Sequence, residues 1–332
     1  MNKRAIALLS GGLDSILSVK LMQEQGIEVF AVNYYIDFAA CNARGGEGSA
    51  AKAARMLKVP FELIDITDEY LETFKHPKFG YGSNVNPCID CKIFMLKKAK
   101  EYMKKAGASF LVTGEVVGQR PMSQRKDMLY LISKQAEVKE ILLRPLSAKL
   151  LNPTLPETEG IINREELLDM SGRGRTRQME LAEKFGIKEY PNPAGGCLLT
   201  DPGFARRVKD LEKHGALNVN DLRLLKAGRH FRLTEAAKLV VGRDEKDNEE
   251  LLSMASPEDM IFKLKDRQGP LSLLRGSHSE EVIKRAAEIA AYHTKFRGEE
   301  TLKIDHWKAG SSDRVTLTVK PADKSDVEAS RI

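Results

Sequence analysis

Residues 6–15 read IALLSGGLDS. Ile6 to Leu9 form an apolar run of the length of one buried strand, and from Ser15 onward the segment SILSVKLMQEQG places Ile16, Val19, Leu21 and Met22 at roughly helical spacing. The stretch predicts strand, tight loop, helix. A helix that starts just after Gly11 and Gly12 turns its unpaired N–H groups and the positive end of its dipole toward the loop, and glycine lets a bulky anion come close. A phosphate group is the ligand that such a loop suits. No Gly-Lys-Ser/Thr follows, so this is not a Walker A loop.

Working outward, strand-like runs at Ala5–Leu9, Val29–Tyr35, Phe61–Ile66 and Phe110–Thr113 alternate with helical stretches after Asp14, over 47–57 and over 93–106. Such alternation predicts an α/β fold with a parallel sheet wrapped by helices, its ligand at the carboxyl ends of the strands. Between Lys149 and Pro202 the pattern loosens into LLNPTLPE, SGRGRTRQ and YPNPAGGC around one helix, Arg175–Phe185. From about Asp221 strands dominate, with one late Ala-rich helix, which predicts a smaller α+β domain. Two further strands, LKIDHW and VTLTVK, precede a polar tail expected to be disordered. The expected division is 1–165 for the nucleotide domain, 166–215 for a connecting segment carrying Cys197, 216–305 for the second domain, and 306–332 for the last strands and tail.

The chain has 332 residues, of which 42% are hydrophobic and 30% charged, as in an ordinary globular protein with room for two domains. No apolar run reaches the length of a membrane span, and the amino-terminal one is too short for a signal peptide, so a cytoplasmic location without membrane contact is expected. A net charge of +6 permits a polyanionic partner without demanding one. Cys41, Cys88, Cys91 and Cys197, in a chain of this length, argue against a disulfide scaffold and for metal or redox chemistry.

The segment SGGLDS resembles the SGGxDS signature of the PP-loop ATP pyrophosphatases, an adenine nucleotide alpha hydrolase-like fold. Members cut ATP between the α and β phosphates and transfer AMP to a substrate oxygen. The resemblance implies that Ser10, Gly11, Gly12 and Ser15 hold pyrophosphate and that Asp14 helps place Mg2+. A second segment, TGEVVGQRPMSQ at 113–124, resembles the GE-x-x-GQ...SQ segment of the tRNA 4-thiouridine synthase family, where it borders the nucleotide. Gly114, Glu115, Gly118 and Gln119 occupy the matching positions, and Asn33, at the end of the second strand, is placed by topology to touch adenine.

NPCIDCK puts Cys88 and Cys91 at a helix start, where N-terminal amides favour thiolates, and Cys197 follows in NPAGGCLLT. A Cys-x-x-Cys with a distant third cysteine is similar to the pattern of PP-loop tRNA thiolases. It implies either a 4Fe-4S cluster on Cys88, Cys91 and Cys197 with one iron open for sulfide, or a persulfide on one cysteine attacked by another. A structural zinc site completed by Cys41 or a histidine stays open.

LRLLKAGRHFRL carries Arg223, Lys226, Arg229 and Arg232 without an acid, and SGRGRTRQ adds Arg173, Arg175 and Arg177. From about Leu222 to Phe296 the landmarks GRHFRL, LVVGRDEKDNEEL, GPLSLLRG and AAEIAAYH resemble the NFACT RNA-binding domain. Together the resemblances imply ATP-dependent tRNA uridine thiolation. The uridine carbonyl oxygen is adenylated, sulfur displaces AMP, and the GQ segment leans toward position 4 rather than 2. ATP and Mg2+, tRNA, and a sulfur donor, either free sulfide or a cysteine desulfurase, are the expected cofactors and partners. A homodimer is one open oligomeric state. The alternatives are a PP-loop amidotransferase or ligase using ammonia, and a non-enzymatic ribosome- or RNA-binding factor.

Overall fold

The computed structural model describes residues 1–39, 48–190, 197–215 and 217–332. They form two compact units, Met1–Thr200 and Asp201–Ile332. The division falls inside the stretch expected as a connector.

The first unit runs β1 Arg4–Leu8, α1 Leu13–Glu24, β2 Glu28–Tyr35, α2 Ser49–Leu57, β3 Phe61–Asp65, α3 Thr67–Lys75, α4 Cys88–Lys105, β4 Phe110–Thr113, α5 Lys126–Gln135, β5 Leu142–Leu143, α6 Leu155–Thr158 and α7 Thr176–Lys184. Its five-stranded sheet is parallel in the order β3-β2-β1-β4-β5. The order reverses between β1 and β4, so the crevice at their carboxyl ends is where an open α/β sheet takes its ligand. β1 is central and its Ala5, Ile6 and Ala7 are buried, as a parallel strand covered on both faces requires. Ala5 and Ala7 share a core with Leu13, Ile16, Leu17, Val19, Leu21 and Met22 of α1. The helical spacing after Asp14 thus marked a helix that buries nearly every apolar side chain it carries.

The second unit runs α8 Pro202–His214, α9 Val219–Leu224, β6 Arg229–Thr234, β7 Ala237–Val241, α10 Glu245–Met254, β8 Met260–Leu264, β9 Ser272–Gly276, α11 Glu280–Tyr292, β10 Leu302–Lys308, β11 Val315–Val319 and α12 Lys324–Ala329. The strands make one six-stranded antiparallel sheet in the order β11-β10-β8-β9-β7-β6. Ala286, Ala287, Ala290 and Ala291 let α11 lie close on Phe231, Leu239 and Phe262, while Leu224 and Leu251 join Val240, Ile261 and Leu273 in a separate core. The α+β expectation therefore holds.

The polar tail is ordered, against expectation. Val327 of α12 is buried, Asp326 pairs with Arg285 at 3.2 Å, and Arg331 forms a bridge with Phe231 at the edge of β6. Apolar contacts of Ala322 and Val327 with the core and edge-strand hydrogen bonds hold a segment whose composition reads as solvated. Cys41 and the predicted helix start at 47 lie outside the described residues. Among the described residues, no helix is long and apolar enough to cross a membrane.

Candidate functional site

Three strand ends build the site in the first unit. β1 delivers Ser10, Gly11 and Gly12, the end of β2 delivers Asn33, and Gly114 follows β4 directly. Gly11 has φ +78°, and a Cβ there would sit 2.3 Å from the Ser49 carbonyl carbon at the start of α2. A Cβ on Gly114 would sit 2.5 Å from the Ser15 nitrogen. Both glycines are required because backbone passes where a side chain would be. Gly12 differs. Its conformation is extended and its nearest contact would be Ser10 Oγ at 3.4 Å, so its contribution is an N–H at the helix start.

The loop is organised before any ligand arrives. Ser10 Oγ and Ser15 Oγ share a hydrogen bond of 3.1 Å, Ser15 Oγ donates to the Gly12 carbonyl at 2.8 Å, and Gly12 N donates to Ser10 Oγ at 3.3 Å. Asn33 Nδ2 donates to the Leu9 carbonyl at 2.9 Å, so this amide steadies the loop's entry. Gln119 Nε2 donates to Asp14 Oδ2 at 3.0 Å, and Arg175 Nη2 stands 3.8 Å from the same oxygen. Asp14 Oδ1 and Arg175 Nε are buried with no hydrogen-bond partner. Such orphans carry a desolvation cost that a bound cation and a bound anion respectively would relieve. The carboxylate oxygen fits Mg2+, and the guanidinium fits a phosphate.

Glu115 marks a different use of charge. It is buried between Lys92 of α4, with which it makes a short ion pair, and Arg144, whose Nε lies 2.8 Å away. Burial alone would raise its pKa, but the two cations override this and hold the carboxyl down at about 2. The triad ties α4 to the end of β4 and to Arg144 beyond β5.

The cysteines sit beside this core. Cys88 begins α4 and its Sγ donates to Ser123 Oγ at 3.2 Å, while Cys197 Sγ lies 3.9 Å from the Ala39 carbonyl oxygen. Val85 N donates to the Leu199 carbonyl at 3.2 Å and Asn84 Nδ2 to the Thr200 carbonyl at 2.7 Å, which docks the Cys197 segment just ahead of α4. Burial pushes the Cys91 thiol up to about 12. The Tyr70 hydroxyl and Lys92 oppose the rise, and the Cys88 and Cys197 sulfurs add to it. Tyr70 is raised in turn, by burial and then by Cys91 and Cys197. Cys88, Cys91 and Cys197 are not joined by a disulfide, and the first and last of them both act on the thiol of Cys91. Three soft donors suit an iron-sulfur cluster, yet among the described residues no three His, Cys, Asp or Glu side chains are drawn together as a metal-holding group.

In the second unit Arg229 Nη1 donates to the Gly242 carbonyl at 3.3 Å. Arg232 is bound to Asp210 through Nε at 3.1 Å and Nη2 at 2.5 Å. Arg223 lies in α9 and Lys226 just beyond it, each with an interaction of its own. Arg175 was read as part of a basic run, and the structure sets its Nη2 3.8 Å from Asp14 Oδ2 beside the glycine loop. The signal was present, since SGRGRTRQ is glycine-rich and runs directly into α7. Its partner Asp14, however, is remote in the chain.

The first unit has the parallel sheet, glycine loop and helix start that the resemblance to PP-loop proteins leads one to expect, and a separate antiparallel-sheet unit follows it in the chain. Residues 1–149 match the family described as thiamine biosynthesis protein (ThiI), and residues 228–330 match the NFACT protein RNA binding domain. The chain is 29% identical over 196 residues to a "Probable tRNA sulfurtransferase" of Thermococcus kodakarensis, covering 57% of this chain and 45% of that protein. It is 24% identical over 227 residues to a tRNA-specific 2-thiouridylase MnmA of Geotalea uraniireducens, covering 63% of this chain and 57% of that protein. The chain thus spans about half the length of these curated relatives. A solved 4-thiouridine synthetase–RNA complex with bound ATP aligns with TM-score 0.35 and 18% identity over 55% of this chain and 51% of that one.

Proposed function

We propose that the chain is an ATP-dependent tRNA uridine thiolase acting at ring position 4. The uridine carbonyl oxygen attacks the α-phosphorus of ATP and pyrophosphate leaves. Sulfur then attacks the activated ring carbon and expels AMP. A carbonyl oxygen is a poor leaving group, and adenylation is what makes it leave. Ser10, Gly11, Gly12 and Ser15 hold the pyrophosphate, Asp14 Oδ1 takes Mg2+, and Arg175 neutralises phosphate charge as it develops. Glu115 keeps the strand ends in place without touching substrate.

The observation that carries this reading is the 113–124 segment. Its Gln119 holds Asp14 of the nucleotide loop and its Ser123 holds Cys88. One short stretch therefore links the group that handles ATP to a group that can handle sulfur, as a two-step thiolation needs. In the persulfide form, the terminal sulfur of a cysteine persulfide bonds to the ring carbon as AMP departs. A second cysteine thiolate then attacks the inner sulfur, leaving thiouridine and a disulfide, which an external thiol reduces. Alternatively Cys88, Cys91 and Cys197 would hold a 4Fe-4S cluster, which would supply a site for sulfide. Iron and sulfide content of protein purified without oxygen decides between the two. Free sulfide serves the cluster form, whereas the persulfide form takes its outer sulfur, already at the sulfane level, from the persulfide of a cysteine desulfurase; the second unit binds the tRNA.

Asp14→Ala tests the reading. It should abolish tRNA-dependent pyrophosphate release while leaving thermal unfolding close to wild type, because Asp14 is half-buried in the first turn of α1 and its exchange removes one hydrogen bond, from Gln119, together with an unpartnered buried oxygen. Unchanged release would sink the activation step. Mass spectrometry of tRNA nucleosides from a deletion strain reads thiolation and its ring position together.

A further inference from the structure

The second unit contains a cleft of about 450 Å³ lined by Arg206, Arg207, Arg229, Arg243, Arg331 and His230. α8, β6, the turn after β7 and the residues after α12 supply these side chains, so distant parts of the sequence converge on one place. Glu328 is the acidic side chain among the lining residues. Arg243 is matched by Asp247 at 2.6 Å. Arg206, Arg207 and Arg331 make no ion pair among the described residues. Arg207 stacks over Phe204 with its guanidinium carbon 5.7 Å from the ring centre, and its Nε is buried without a hydrogen-bond partner. Burial lowers its pKa, and Arg243 and Arg206 lower it further against the opposing pull of Asp201. Crowded guanidinium groups with an unmet donor repel one another and gain from an anion among them, and their planar forks match phosphate.

His230 adds a second requirement. It is 2% exposed, and its Nε2 lies 2.8 Å from the Ala227 carbonyl oxygen. A carbonyl can only accept, so Nε2 carries the proton, and burial among cations keeps the ring neutral. Nδ1 is then an acceptor, and it has no partner. An anion cannot satisfy it, whereas a hydroxyl can.

We infer that this cleft binds one phosphate group of RNA together with a neighbouring ribose 2′-hydroxyl, the arginines holding the phosphate and His230 Nδ1 accepting from the hydroxyl. The 2′-hydroxyl is the group that separates RNA from DNA at a contact of this kind. The inference rests on the reading of the second unit as the tRNA-binding part, and it deepens that reading from a basic surface to one defined site.

The test uses the full chain and labelled tRNA, with affinity measured by anisotropy across a salt series. The Arg206→Ala/Arg331→Ala double variant should bind at least about tenfold more weakly, with a log-log salt slope shallower by about one, as for loss of one phosphate contact. A His230→Phe variant should leave that slope unchanged and lose most of the preference for an oligoribonucleotide over DNA of the same sequence. Should the buried substitution fail to fold, the double variant still decides. Removing the tRNA 5′-phosphate separates the sources: a matching loss of affinity assigns a terminal phosphate, and no loss assigns an internal phosphodiester. A double variant with wild-type affinity and slope overturns the site, as does a wild-type chain that binds no tRNA. Thiolation is scored separately. A chain that thiolates tRNA while the double variant binds normally loses the cleft alone, and one that binds through the cleft but releases no pyrophosphate loses the thiolase reading alone.

Discussion

Lys92 and Arg144 close on Glu115 in the first unit, whereas in the second unit five arginines line a cleft in which Glu328 is the acidic side chain. Both arrangements gather cations, but the first matches them and the second leaves an excess. A matched buried cation holds elements together, and removing its acid leaves charge stranded in low dielectric. An unmatched cluster strains the fold slightly and waits for charge from outside. The distinction separates basic residues that build the protein from those that bind, which a count of Lys and Arg cannot do. It also separates two neighbours on one strand: Arg232, bound twice to Asp210, belongs to the first kind, and Arg229, at the cleft, to the second.

The largest effect should come from breaking the matched set. Glu115→Gln removes the charge that faces Lys92 and Arg144, and uncompensated buried partners of this type cost roughly 3–5 kcal/mol. Urea unfolding should show a midpoint far below wild type. The Arg206→Ala/Arg331→Ala variant should unfold at or above the wild-type midpoint, because it relieves repulsion. Equal losses in the two variants would erase the comparison.

Arg175 sharpens it within the first unit. Its Nη2 is 3.8 Å from Asp14 and its Nε is orphaned, so it is half matched, and a phosphate would complete it. Arg175→Ala should slow tRNA-dependent pyrophosphate release by about 10²-fold, in the range for losing one donor aimed at developing charge. Its tRNA affinity should stay unchanged. A fall in affinity with normal release would return Arg175 to the basic surface suggested by its sequence neighbours.

How far these roles could be read beforehand depends on distance along the chain. SGGLDS was readable because its chemistry is local: strand, glycine turn and helix start lie within a few residues, and the apolar spacing of α1 follows at once. The parallel sheet was readable for the same reason, through alternating runs. Arg175 was not, since its meaning comes from Asp14, which only the fold brings near. Gly114 was flagged by its motif, but its reason, a backbone contact with Ser15, is tertiary. The tail misled because composition registers charge and not the few apolar contacts, such as those of Ala322 and Val327, that dock it. The cysteine pattern predicted proximity, and the structure places Cys88 and Cys197 near enough to Cys91 to help raise its pKa without gathering a metal-holding group among the described residues.

Acid should separate the two units most gently. In the second, burial holds His293 down at about 4 from an ordinary 6.5, with Arg229, Arg331 and Arg297 adding to the shift. His230 and His306 are also lowered, chiefly by burial. A histidine whose folded pKa is depressed binds its proton more readily in the unfolded chain. Its stabilising contribution is therefore complete above 6.5 and is lost as pH falls through about 4. Glu115, held at about 2 against an ordinary 4.5, obeys the same sign in a lower window. The second unit should consequently loosen first. Trp307, in β10, is the chain's one tryptophan and reports that unit alone. Its fluorescence should change at a higher pH than the remaining far-ultraviolet dichroism. Coincident transitions would mean that the histidines do not set the acid limit of the second unit.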